Sequence, residues 1–171
     1  IRSILHFCFR INKILIPRSS DLRKGETVRG VPGALTFQPK TGTYFNTVVL
    51  DFESLYPSLI DTYNLSYETI DCNHEDCTQN QVPGANHHVC IKKRGLYSAL
   101  IGALKDLRVY WFKPLSRDVS VSAEERRMAA AASTFLKLIL VSSYGVTVRI
   151  HGLAQPALAE SITAYGRYAL G

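Results

Sequence analysis

Apolar residues recur at helical spacing at the start of the chain, with Ile4, Leu5, Cys8, Ile11 and Leu15 marking one face across residues 1–16. A helix is predicted there, ending before Pro17. The polar stretch RSSDLRKGETVRGVPG, with Gly25, Gly30, Pro32 and Gly33, reads as a loop. GALTF then suggests a short strand, QPKTG a turn, and TYFNTVVLDF a strand rich in β-branched and aromatic residues. A helix is expected near Ser58–Asn64, followed by an irregular insert from Asp71 to Lys93 that is dense in Cys and His.

The second half is more strongly periodic. Gly95–Lys113 reads as a long helix, PLSRDVSV as a tip, and a further helix starts at Ser122, where Glu125 three residues on completes a capping box. This helix is expected to reach about Ser143 and stop near Gly145. Two long helices with a short polar connection form an antiparallel pair. VTVRIHG reads as a strand or turn, and Pro156 suits the first position of a final helix, PALAESITAYGRYAL. The expected class is α+β, with helices dominating the second half.

Composition narrows the partners more than the fold. With 171 residues, 46% of them hydrophobic, the chain suits one globular domain or a part of a larger one. It begins at Ile1 and stops at Gly171 after an apolar helical run, so an interior piece of a longer protein is expected. A net charge of +6 leans toward polyanionic partners such as nucleic acid. No uninterrupted apolar run of about 18 residues occurs, so no membrane span is expected. Arg2, His6, Arg10 and Lys13 break up the first sixteen residues, which excludes them as a secretory signal, and a cytoplasmic protein is expected.

The chemistry concentrates in VVLDFESLYPSLI, Val48–Ile60. An apolar strand ending in Asp51 would deliver a carboxylate at a fixed position, as a Mg²⁺ site bound partly by phosphate oxygens requires. The turn from Phe52 to Tyr56 can direct backbone N–H groups at a triphosphate, aided by the helix that follows. Pro57 holds Tyr56 extended, so the ring could exclude a sugar with an extra hydroxyl. The alternative is that Asp51 caps the next helix and Tyr56 belongs to the core.

DFESLYPSLI resembles motif A of the family-B DNA polymerases, and the stretch GTYFNTVVLDFESLYPSLIDTYNLSYETID is most similar to their archaeal replicative members. KLILVSSYG resembles motif B, AESITAYGRYAL the palm helix after it, and RINKILIPRS the approach to the palm. The resemblance implies a polymerase palm sheet carrying a two-helix fingers hairpin. Residues 1–46 would lead into the palm, 47–70 hold the motif A strand and helix, 71–93 the Cys/His insert, 94–144 the fingers, and 145–171 the return to a palm helix. Asp51, with the Phe52 carbonyl, would hold two catalytic Mg²⁺ ions. Ser54, Leu55 and Tyr56 would line the triphosphate, with Tyr56 favouring deoxynucleotides. Arg108 and Lys137 would meet the phosphates, and Tyr144 would lie nearer the nascent base pair. Positions 137, 141 and 144 independently share one helix face, and Lys105 lies one turn before Arg108. By themselves, Lys105 and Arg108 would read as a solvated helix face.

The implied partners are primer–template DNA, deoxynucleoside triphosphates and the remaining exonuclease, palm and thumb domains. Two positions depart from the family pattern. Val141 stands where motif B has Asn, and VPGA (Val31–Ala34) lacks the tyrosine of the template-tracking element. The second acid pair, in motif C, is expected downstream. The alternative reading is a catalytically degenerate paralogue acting as a DNA-binding accessory protein.

The insert CNHEDCTQNQVPGANHHVC holds Cys72, His74, Cys77, His87, His88 and Cys90. Cys72 and Cys77, with His87 or His88 and Cys90, make two local pairs across a Pro-Gly loop, enough for a tetrahedral zinc. Cys72, Cys77, His87 and Cys90 form the expected set. A disulfide or unpaired thiols are the alternatives. Cys8 is expected in the core.

Overall fold

The computed structural model describes residues 2–15, 38–149 and 154–170. The GALTF strand, the VPGA element and the end of VTVRIHG lie outside the described residues. Among the described residues six α-helices follow one another: α1 (Arg2–Ile11), α2 (Leu55–Thr62), α3 (Leu96–Asp106), α4 (Lys113–Leu115), α5 (Ala123–Arg149) and α6 (Pro156–Leu170). A π-helical segment, Leu107–Phe112, joins α3 to α4 without a break.

The expectation of an α+β fold with a palm sheet is not met. Among the described residues there is no strand, and β pairing is limited to two isolated antiparallel bridges, Ile70 to Val89 and Gln81 to His88. Val48, Val49 and Leu50 are 80–89% exposed. Their β-branched character favours an extended chain, but a strand is a paired state. No described backbone lies alongside to accept the pairing, so the composition alone produces no sheet.

The core is built mainly from helices, with Leu65, Tyr67, Ile70, Val82 and Val89 added from the segments between α2 and α3. Leu59 and Ile60 of α2, Tyr97 and Ile101 of α3, Leu140 and Val146 of α5, and Leu158 and Ile162 of α6 form one cluster, joined by Leu5 and Phe9 of α1. Polar groups tie it together: Tyr97 Oη donates to the Ser143 carbonyl at 2.7 Å, and Ser98 Oγ to the Ile60 carbonyl at 2.7 Å. Lys105 Nζ reaches Asp61 Oδ2 at 2.9 Å, and Arg94 pairs with the same carboxylate. Lys105 is therefore a clamp between α3 and α2, and not a solvated surface group.

The start of α5 is as expected. Glu125 N–H donates to Ser122 Oγ at 3.2 Å, and Ser122 N–H donates to Glu125 Oε2 at 3.0 Å. Its end is not. The helix passes Gly145 and continues to Arg149. Gly145 has no positive φ, unlike Gly84, so it supplies no left-handed cap. Ser143, Val146 and Thr147 are buried, and the gain from packing that face carries the helix through. Gln155 N–H then donates to the Thr147 carbonyl at 2.8 Å.

Ala123–Val148 is long and apolar enough on average to cross a membrane, but Glu124, Glu125, Arg126, Arg127 and Lys137 interrupt it, so it is not the uninterrupted apolar run whose absence the sequence showed. Lys137 stands in the middle of that stretch, while Leu136, Leu140 and Val146 are buried against the rest of the chain. The hairpin is real: α5 packs along α3, the π segment and α4, and also against α6.

Candidate functional site

Asp51–Pro57 and the two long helices enclose a cleft of about 740 Å³. From the first segment come Asp51, Phe52, Ser54, Leu55 and Tyr56. Arg108 and Lys113 enter from the π segment and α4, and Lys137, Val141 and Tyr144 from α5. Every cleft residue expected from the sequence, from Asp51 to Tyr144, lines this one cavity. Helical repeat explains the α5 contribution, since 137, 141 and 144 share a face.

Ser54 has φ 56° and ψ 47°, a left-handed conformation, immediately before α2. Such a position costs a serine about 1 kcal/mol or more and persists only when its surroundings fix it. The chain turns there into α2, and Ser58 Oγ in its first turns lies 3.4 Å from the Glu53 carbonyl. The first turn of α2 presents backbone N–H groups and the positive end of the helix dipole to the cleft.

Tyr56 is held from two sides. Its ring centroid lies 5.1 Å from that of Tyr144, tilted by 45°. On the other side, a Cβ at Gly166 of α6 would stand 3.3 Å from Tyr56 Cε1, so the glycine leaves the ring its room. Tyr56 is thus partly packed in the core, as one reading of the sequence held, and also forms the cleft wall.

Two charged lining groups were missed by sequence reasoning: Glu53 and Lys113, which are paired with each other. Arg108 Nη1 lies 3.9 Å from Glu53 Oε1. The hydrogen bond from Lys113 holds the Glu53 carboxyl below its usual range, with Arg108 contributing. Lys113 is five residues beyond Arg108, and an α-helix would point it about 140° away. The π segment is what aligns them, because its i→i+5 bonding places residues five apart on one face. Lys113 N–H donates to the Arg108 carbonyl in this register. Pro114 is the sequence signal: without an N–H, and with a ring that crowds the preceding turn, it favours a widened helix.

Asp51 and Lys137 are exposed and have no ion-pair partner among the described residues. Arg108 is only 13% exposed, and its Nε is buried without a hydrogen-bond partner. The cleft therefore combines one unpaired carboxylate with cations from both helices. Val141, 71% exposed, adds an apolar patch between Lys137 and Tyr144.

The insert forms a separate cluster. Cys72 Sγ, His74 Nδ1, Cys77 Sγ and Cys90 Sγ all lie within 4.8 Å of one another. The expected set took His87 in place of His74. In the structure His87 Nδ1 lies 2.8 Å from Asp71 Oδ2, and its Nε2 lies 3.5 Å from Glu160 Oε2 of α6. His88 Nε2 donates to the Cys72 carbonyl at 2.9 Å. All four cysteines, Cys8 included, carry free thiols. Burial works against ionisation at Cys90, but the backbone amides of Lys92 and Lys93 outweigh it and hold the thiol below its usual range.

Comparison with known proteins assigns the class. The profile of DNA polymerase family B matches residues 1–171, and the chain belongs to that family. "DNA polymerase 1" of Aeropyrum pernix is 36% identical over 182 residues, covering 99% of this chain and 19% of the relative. "DNA polymerase 1" of Sulfurisphaera ohwakuensis is 35% identical over 162 residues, 91% of this chain and 19% of the relative. "DNA polymerase" of Thermococcus sp. (strain 9oN-7) is 32% identical over 162 residues. The chain spans about a fifth of the length of these curated relatives.

Proposed function

We propose that this chain forms the nucleotide-binding part of a DNA-directed DNA polymerase, in which a primer 3′-hydroxyl attacks the α-phosphorus of a deoxynucleoside triphosphate. The observation that carries the reading is the convergence of Asp51, Tyr56, Arg108, Lys113 and Lys137 on one cleft. A triphosphate needs cations along its length and a helix N-terminus or nest of amides at its bend, and the cleft offers both.

The donor set suits Mg²⁺: an exposed carboxylate without a cationic partner among the described residues, followed by the Phe52 carbonyl, leaves most positions to water and phosphate oxygens. Asp51 and the Phe52 carbonyl would hold the metal, which when bound supplies charge stabilisation to the attacking and leaving oxygens. Arg108, Lys113 and Lys137 neutralise charge that builds on the pyrophosphate as it leaves. Ser54 and Leu55 present the start of α2 to the phosphates. Tyr56, fixed between Tyr144 and Gly166, stands as a rigid wall at the sugar, where an extra 2′-hydroxyl meets the ring. Primer–template DNA and the other polymerase domains are the partners this reading requires.

The deciding experiment places the complete protein on a primed template and follows Mg²⁺-dependent deoxynucleotide incorporation, with Asp51→Ala alongside. Incorporation that the substitution abolishes supports the reading. Firm primer–template binding without incorporation in the wild type overturns it.

A further inference from the structure

We propose that Cys72, His74, Cys77 and Cys90 form a structural Zn²⁺ site that closes the insert between α2 and α3. Nothing in this inference depends on the polymerase chemistry.

The distances fit zinc and not a disulfide. A tetrahedral zinc with Zn–S of about 2.3 Å and Zn–N of about 2.0–2.1 Å has S–S edges of roughly 3.8 Å and S–N edges of roughly 3.5 Å. Cys77 Sγ to Cys90 Sγ is 3.9 Å, His74 Nδ1 to Cys72 Sγ is 3.4 Å, and His74 Nδ1 to Cys90 Sγ is 3.5 Å. A disulfide requires about 2.05 Å. Three edges thus match those of a zinc tetrahedron, and the four ligand atoms all lie within 4.8 Å of one another.

Ile91 N–H points to Cys77 Sγ at 3.5 Å, so the backbone of the insert holds one of the ligand sulfurs in place. Cys77 and Cys90 are buried, while Cys72 and His74 close the outer side. The neighbouring histidines have other duties: His87 is held between Asp71 and Glu160, and His88 by the Cys72 carbonyl. The His88 contact fixes the backbone of a ligand residue from outside the tetrahedron, the role outer partners commonly play at metal sites.

The position explains what the metal would do. Cys90 N–H donates to the Thr69 carbonyl at 2.8 Å, and Asn64 Nδ2 donates to the Cys90 carbonyl at 2.9 Å. Asn64 Oδ1 also accepts from Gly95 N–H at 2.8 Å, at the start of α3. A metal joining Cys72 to Cys90 fixes the insert's two ends together, and with them the point from which α3 departs. Binding deprotonates three thiols, so protons are released as the metal enters.

The test uses the full-length protein purified under reducing conditions. Zinc content is measured by mass spectrometry, and Co²⁺ replacement is followed by absorption. The expected result is one zinc that disappears in Cys77→Ser, and a cobalt spectrum of tetrahedral type with intense thiolate-to-metal bands. His74→Ala, which keeps every cysteine and alters a half-buried position, should shift the cobalt bands and weaken zinc binding by at least about 10–100-fold, the cost of losing even an outer partner. His87→Ala should leave the cobalt spectrum unchanged. A folded wild type that takes up no zinc at this site overturns the proposal, as does a Cys77–Cys90 disulfide in the native protein. Loss of the cobalt spectrum in His87→Ala but not in His74→Ala overturns the ligand set.

Discussion

Lys113 N–H donates to the carbonyl of Arg108, five residues back, and both side chains face Glu53 across the cleft. The wide turn converts an i, i+5 pair, which an α-helix would separate, into one cationic surface. If that surface receives a triphosphate, Lys113→Ala should lower kcat/KM for nucleotide by roughly 10-fold, the size of one charge-assisted hydrogen bond. Pro114→Ala should act in the same direction without removing any cleft side chain, because the helix can then relax to ordinary pairing. Steady-state incorporation kinetics by the complete protein measure both. Unchanged kinetics for Lys113→Ala would exclude it from nucleotide binding.

Arg108→Ala and Lys137→Ala remove the remaining cations. Each is expected to cost about 1.5–3 kcal/mol in transition-state stabilisation, or roughly 10–150-fold in kcat/KM. Arg108 is the more sheltered of the two, so its loss should also be the less sensitive to salt. Titrating both variants at two ionic strengths separates the contributions.

Tyr56 should act on selectivity as well as on packing, since its ring also lies against the core. Tyr56→Ala opens space at the sugar position, and the ratio of deoxy- to ribonucleotide incorporation should fall by roughly 10-fold or more. A ratio unchanged in the variant would leave Tyr56 a packing residue only.

Gly95 tests the junction where α3 begins. A Cβ there would overlap Ser66 Cβ and stand 2.9 Å from Thr69 Cγ2. Both neighbours are buried, and Ser66 Oγ accepts from Tyr97 N–H at 3.0 Å, so neither can move freely. Gly95→Ala should destabilise the fold by about 1–3 kcal/mol in denaturant unfolding.

Asp61 gives the fold an acid limit. Burial opposes its ionisation, but the hydrogen bonds from Lys105 and Arg94 prevail and hold the carboxyl below its ordinary value of 3.8. The unfolded chain binds this proton more readily, so the stabilisation is present above the ordinary value. It is lost as pH falls below 3.8 through the lower folded value. Lys105 is held above its ordinary 10.5, so its share is present below that value and lost in alkali as pH rises through the folded one. Asp61→Asn should flatten the acid limb of stability measured from about pH 5 down to about pH 2, the window the linkage sets. An unchanged acid limb would place the acid sensitivity elsewhere.

Local sequence settled much of this protein. Ser122 and Glu125 set the start of α5 because a capping box is made within one turn, and Pro156 sets the start of α6 because its missing N–H costs nothing there. Positions 137, 141 and 144 share a face by helical repeat alone, and the motif from Asp51 to Pro57 marked the cleft before its walls were known. Other features depend on partners distant in sequence. Gly145 does not end α5, because buried Val146 and Thr147 outweigh a permissive backbone. His74 and not His87 joins the cysteines, because Asp71 and Glu160, the latter brought by α6, hold His87 away. Val48–Leu50 read as a strand by composition, yet a strand needs a neighbouring backbone, which the described residues do not supply. Caps and helix faces are decided within a few residues of chain, whereas ligand sets, clamps and sheets are decided by which distant segments meet.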